Sequence, residues 1–135
     1  MPDRHLLFSV AAPRGPVFNF LADIENLPAW AGGFCEWIEL HRSGWWAYTL
    51  LGELQAEARA DDPSGEVELG LGHVAGWKLV LHLRVRADGD GRSLVSLSYP
   101  ELAGPDPARE ETLFAALEAG LPNLAAKIRP IKAVA

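Results

Sequence analysis

The sequence predicts an α+β fold in which a seven-stranded, curved antiparallel sheet wraps round one long C-terminal helix. Three observations predict it. Between residues 35 and 99 apolar and polar residues alternate with period two, the signature of half-buried strands. Short runs rich in Gly, Asp, Ser and Pro break that alternation, and such short connections join antiparallel neighbours. From Ala108 to about Arg129 the apolar period becomes helical.

The elements follow in order. Leu6, Phe8 and Val10 share one face of a first strand over 4–11, with His5, Leu7 and Ser9 on the other. Pro13 and Pro16 suit only the first turn of a helix, where a missing N–H costs nothing. Val17, Phe18, Leu21 and Ala22 then fall at helical spacing, so a short helix covers about 14–23. Asn26 before Leu27-Pro28 reads as the N-cap of a second short helix, which runs through Trp30 and stops at Gly32-Gly33. Six more strands are expected at 35–42, 45–52, 54–61, 66–72, 78–87 and 93–99. Ser43-Gly44, Asp61 to Gly65, and Asp88-Gly89-Asp90-Gly91 are turns between them. In the last helix Leu113, Phe114, Leu117, Leu121, Leu124 and Ile128 form one stripe, and Pro122 predicts a kink near 118–122.

The 135 residues fit a single domain, 1–135, large enough to fold on its own core. The net charge of −6 repels phosphate backbones, and no basic run offsets it, so nucleic acid is not an expected partner. No apolar run approaches the ~20 residues of a membrane helix. Cys35 is the single cysteine, which rules out an internal disulfide and fits a cytoplasmic location.

Strand parity assigns the faces. Leu79, Leu81, Leu83 and Val85 point one way, while Lys78, His82, Arg84 and Arg86 point the other. Leu54, Ala56, Ala58 and Ala60 are inward, as are Val67, Leu69 and Leu71. A strand that presents alternate alanines inward fills little volume. Native cores are close-packed, so bulky helix side chains fill the gap or a cavity remains.

The order strand, two short helices, six antiparallel strands and a long helix is the helix-grip arrangement. The segment Val17-Phe18-Asn19-Phe20-Leu21-Ala22-Asp23-Ile24-Glu25-Asn26-Leu27-Pro28-Ala29-Trp30 resembles the START-like superfamily, also called SRPBCC or the polyketide cyclase/dehydrase and lipid-transport type. Members commonly show an aromatic-bearing first helix, then Asp, then Pro-x-Trp. Here Asp23, Pro28 and Trp30 match those positions, whose role is structural. The resemblance implies a deep hydrophobic cavity between the sheet and the C-terminal helix. It implies no universal catalytic residues.

The chemistry-bearing residues are few. His5, His41, His73 and His82 have no partner at metal-ligand spacing, so neither a metal nor another cofactor is expected. No serine stands in a nucleophile elbow, and neither Gly70-x-Gly72 nor Gly89-x-Gly91 opens a helix as a phosphate loop does. Cys35, between Phe34 and Trp37, reads as a buried inert thiol. His73 follows Leu69 and Leu71 in parity and should stand at the cavity mouth, near Trp77. The predicted ligand-binding set is Trp30, Trp37, His73, Trp77, Leu81, Tyr99, Phe114, Leu117 and Leu121. Trp45 and Trp46 are adjacent in a strand, so only one can face the cavity. Nothing in the sequence stands ready to cover the other, and a two-fold homodimer is one way to hide it.

These readings favour a protein that binds or carries a small hydrophobic molecule, lipid-like or resembling an aromatic polyketide. One alternative is a cyclase or dehydratase in the same cavity, with His73 or Tyr99 as acid–base groups. The other is an interaction module that uses the outer sheet face or a tryptophan patch without any ligand.

Overall fold

The computed structural model describes residues 3–74, 76, 78–89, 91–100, 107–120 and 124. The side chains of residues 3, 4, 100, 107–110 and 114 lie outside that description. Seven strands form one antiparallel sheet: β1 (Asp3–Val10), β2 (Cys35–His41), β3 (Gly44–Thr49), β4 (Gly52–Asp61), β5 (Glu66–Gly72), β6 (Lys78–Ala87) and β7 (Ser93–Pro100). Their order is β1-β7-β6-β5-β4-β3-β2. Six strands thus meander through hairpins, and β1 closes against the last of them. The chain crosses from one margin of the sheet to the other through α1 (Arg14–Ala22), a 3-10 turn (Ile24–Asn26) and α2 (Leu27–Trp30). The C-terminal helix α3 spans Pro107–Gly120, with Leu124 also helical. The expected kink at Pro122, and the expected helix beyond it, lie outside the described residues.

Local chemistry explains the boundaries. Pro13 is the extended N-cap of α1 and Pro16 lies in its first turn, where neither disrupts a bond. The second helical segment starts only in part as the sequence predicts. Asn26 holds the N-cap position of α2 as expected but makes no side-chain capping bond; Asp23 caps the 3-10 turn ahead of it, its carboxylate accepting from Glu25 N–H at 3.1 Å. Asn26 has helical dihedrals, so the 3-10 turn runs straight into α2, and its amide instead donates to Phe20 O at 3.0 Å. Gly65 has φ +75°, and a Cβ there would strike the Val85 carbonyl oxygen. The β4–β5 turn can therefore dock on β6, where Val85 N–H donates to Gly65 O at 2.8 Å.

Parity is as expected through the centre of the sheet. Val67, Leu69, Leu71, Leu79, Leu81, Leu83, Val85, Val95 and Leu97 are all buried, and Arg84, Arg86 and Glu57 are exposed. Leu113 and Leu117 of α3, and Leu124, join the same buried cluster. The helix lies close to the chain between α2 and β2. A Cβ on Gly33 would stand 3.2 Å from that of Ala116, and one on Gly120 would land on the Trp30 carbonyl oxygen. Small residues at this crossing let the helix grip the sheet closely.

Candidate functional site

The interior between sheet and helix is apolar on every described wall. Leu69, Leu71, Leu79, Leu81, Leu97 and Tyr99 rise from the sheet, and Leu113 and Leu117 descend from α3. Trp30 and Phe34, each buried, close the end beneath α3. Burial of this much apolar surface is what holds the sheet to the helix.

An open groove of about 800 Å³ reaches the small-residue side of the interior. Its origin is a mismatch of strand lengths. β3 is confined to six residues between Gly44 and the turn before Gly52, whereas β4 runs for ten. Pairing with β3 stops at Ala56. Beyond it, Glu57 to Asp61 pair only with β5 among the described residues. The groove wraps round this bare margin. Trp45, Ala56, Ala58 and the corner Ala22-Asp23-Ile24 line it on the inner side, while Glu57, Gly70 and Lys78 line it outside. The inward alanines grade from buried Ala56 through half-buried Ala58 to exposed Ala60. The space beside the alanines is therefore a notch at the margin of β4; no described residue of α3 lines it, so it differs from the expected cavity between sheet and C-terminal helix.

A second trough, about 400 Å³, lies on the outer face of β4 to β7. Arg59, Glu68, His82, Arg84, Ser96 and Ser98 line it. His82 Nδ1 stands 3.7 Å from Glu68 Oε2. Charged walls of this kind suit water better than an apolar ligand.

The predicted site residues divide. Trp30, Leu81, Tyr99 and Leu117 come together in the buried interior. His73 is half-buried at the end of β5, beside the β3–β4 turn; a Cβ on Gly52 would lie 3.7 Å from its Nε2. Gly72, the residue before it, lines the groove, although His73 is not itself among the described lining residues. Trp77, Leu121 and the Phe114 side chain lie outside the described residues.

Trp37 is not part of the interior. It is 60% exposed on the outer face, opposite Tyr48. The cause is a register shift between Cys35 and Trp37, which puts these two residues on opposite faces although they are two apart. Of the adjacent pair, Trp45 is the inward one and packs against the core. Trp46 is outward, and local groups cover it. Its indole N–H donates to Ser43 Oγ at 2.9 Å, and the His41 ring lies 6.2 Å away. The expectation that nothing local would shelter an outward tryptophan overlooked the tip of its own hairpin.

The sequence reading missed the corner Ala22-Asp23-Ile24 as a groove wall. Counting residues between Gly44, Gly52 and Gly65 would have exposed the overhang of β4. Among the described residues no cluster of three or more His, Cys, Asp or Glu could hold a metal ion. No helix among them is long and apolar enough to cross a membrane.

A sheet that grips a C-terminal helix over an apolar interior defines the class: the chain has the START/SRPBCC-like helix-grip fold. Solved structures share it along nearly the whole chain. A START superfamily protein from Mycobacterium smegmatis superposes with a TM-score of 0.67 at 13% identity, covering 96% of this chain and 98% of that one. The Zhui aromatase/cyclase from Streptomyces sp. R1128 gives 0.62 at 16% identity, covering 97% and 94%. The di-domain aromatase/cyclase StfQ of the steffimycin biosynthetic pathway gives 0.66 at 20% identity, covering 92% of this chain and 44% of that one. No protein-family model and no curated protein matches the sequence.

Proposed function

We propose that this protein binds and carries a small hydrophobic molecule whose apolar part enters the inner side of the sheet at the margin of β4, performing no chemistry on it. One observation carries the reading: an open groove, lined by Trp45, Ala56, Ala58 and Ile24, meets the apolar side of the fold. Its size is in the range that holds ligands of drug-like dimensions. The neighbours that share the fold are consistent with such a role but too distant to specify it. Titration with fatty acids, flavonoids and aromatic polyketides tests it, with tryptophan fluorescence as the readout. At least one class should quench saturably, and Trp45→Phe should reduce the quench. If no class quenches, the reading fails.

A second reading is cyclisation or dehydration in the same interior. It is favoured by the aromatase/cyclase activity that the names of Zhui and StfQ carry. Within this chain it would rely on the Tyr99 phenol, 1% exposed on the inner face, and on His73. Turnover of an aromatic polyketide by the wild type, lost in Tyr99→Phe or His73→Ala with ligand quenching retained, would favour it over simple carriage.

A further inference from the structure

The two sides of the notch differ in chemistry, and the difference constrains what can fill it. Inside, Trp45, Ala56, Ala58 and Ile24 offer apolar surface. Outside, Lys78 lies across the sheet to reach Glu57, Nζ to Oε1 3.1 Å, with both side chains about half exposed. Gly70 permits this reach, because a Cβ there would stand 2.8 Å from Lys78 Cε. At the inner corner the only charged group lining the groove among the described residues is Asp23, whose carboxylate accepts from Glu25 N–H. An anionic group is thus disfavoured at the inner corner and favoured outside.

We infer that the notch binds an amphipathic molecule with an anionic end, apolar body inward on Trp45 and the alanines, anionic group outward on Lys78. This rests on the ligand-binding reading and adds the ligand's polarity and direction. An ammonium has three donors, and Glu57 takes one of them. A carboxylate, sulfate or phosphate end accepts from another, and in doing so competes with Glu57. The bare margin of β4 between the two sides adds backbone groups that meet no strand partner among the described residues.

Two dyes of matching shape test this: anilinonaphthalene sulfonate, which is anionic, and phenylnaphthylamine, the same ring system without the sulfonate. The wild type should bind the anionic dye more tightly. Lys78→Met should weaken it by roughly threefold to fivefold, the scale of a half-exposed charge contact. Glu57→Gln should strengthen it, because Lys78 loses its competitor. Neither change should alter affinity for the neutral dye, whereas Trp45→Ala should weaken both. Unchanged melting temperatures would confirm that each variant is folded. If the neutral dye binds but the anionic dye is no tighter, or is insensitive to Lys78 and Glu57, the inference is overturned and the ligand-binding reading survives. If the folded wild type binds neither dye, both are overturned.

Discussion

Cys35 is the most completely withdrawn reactive group among the described residues. It is fully buried, and its thiol donates to Trp37 O at 3.3 Å. Burial pushes its pKa up, and backbone bonds from Trp37 and Tyr48 oppose this only in part. The sign of the consequence follows from proton binding. A thiol whose pKa is raised by folding holds its proton more tightly in the native state, so stability is fully present below the unfolded value, about 8.5. It declines as pH rises above that value and through the folded pKa. We expect guanidinium midpoints to fall on the alkaline side, and Cys35→Ala to flatten that fall. An identical alkaline decline in Cys35→Ala would contradict the assignment. Nearby, Glu39 behaves oppositely. Hydrogen bonds, first from His41 and then from Tyr48, hold its carboxyl below the usual range. Its partner Tyr48 is pushed up, first by desolvation and then by the Glu39 carboxylate.

At the level of single elements, the irregularity in β2 separates two tryptophans that composition alone would treat alike. Trp30 is 1% exposed beneath α3, and Trp37 is 60% exposed. Trp30→Ala should therefore cost about 3–5 kcal/mol. Trp37→Ser should stay within about 0.5 kcal/mol. Chemical denaturation of the two variants measures the contrast, and similar losses would show that β2 keeps regular parity. Strand existence and facing were legible wherever alternation was clean, as in Leu79 to Val85. Alternation fails as a guide where one extra residue enters a strand, and nothing about Glu36 announces that it does so here. The 3-10 turn ahead of α2, capped by Asp23, was missed for a related reason. Asp23 and Asn26 are both good cap residues, and the choice depends on a 3-10 turn that propensity does not distinguish. The groove lay between these cases. Its alanines were visible, but its position depends on where β3 stops, a tertiary consequence of two glycine turns.

On the scale of the whole molecule, the element order was enough to predict the architecture. A meander of hairpins leaves two margins, and β1 and β2 occupy them. The chain between them carries the segment that resembles the superfamily, and its α1 packs on β4, β5 and β6. The sheet's outer face is mainly polar, with pairs such as Lys78–Glu57 and His82–Glu68 across neighbouring strands. Trp37 and Leu40 are the large exposed apolar residues of β2. Interaction through that margin, including pairing with a second copy, competes with ligand carriage as an account of the protein. The inner face has a different character, mainly apolar among the described residues, and the notch opens at its margin. Native mass spectrometry of protein purified gently from its own host decides whether a ligand is carried. Ligand carriage predicts a population heavier than the bare chain by one small-molecule mass, which disappears on denaturation and is depleted in Trp45→Ala. Bare chain alone, or bare chain and its multimers with no retained small molecule, would contradict it.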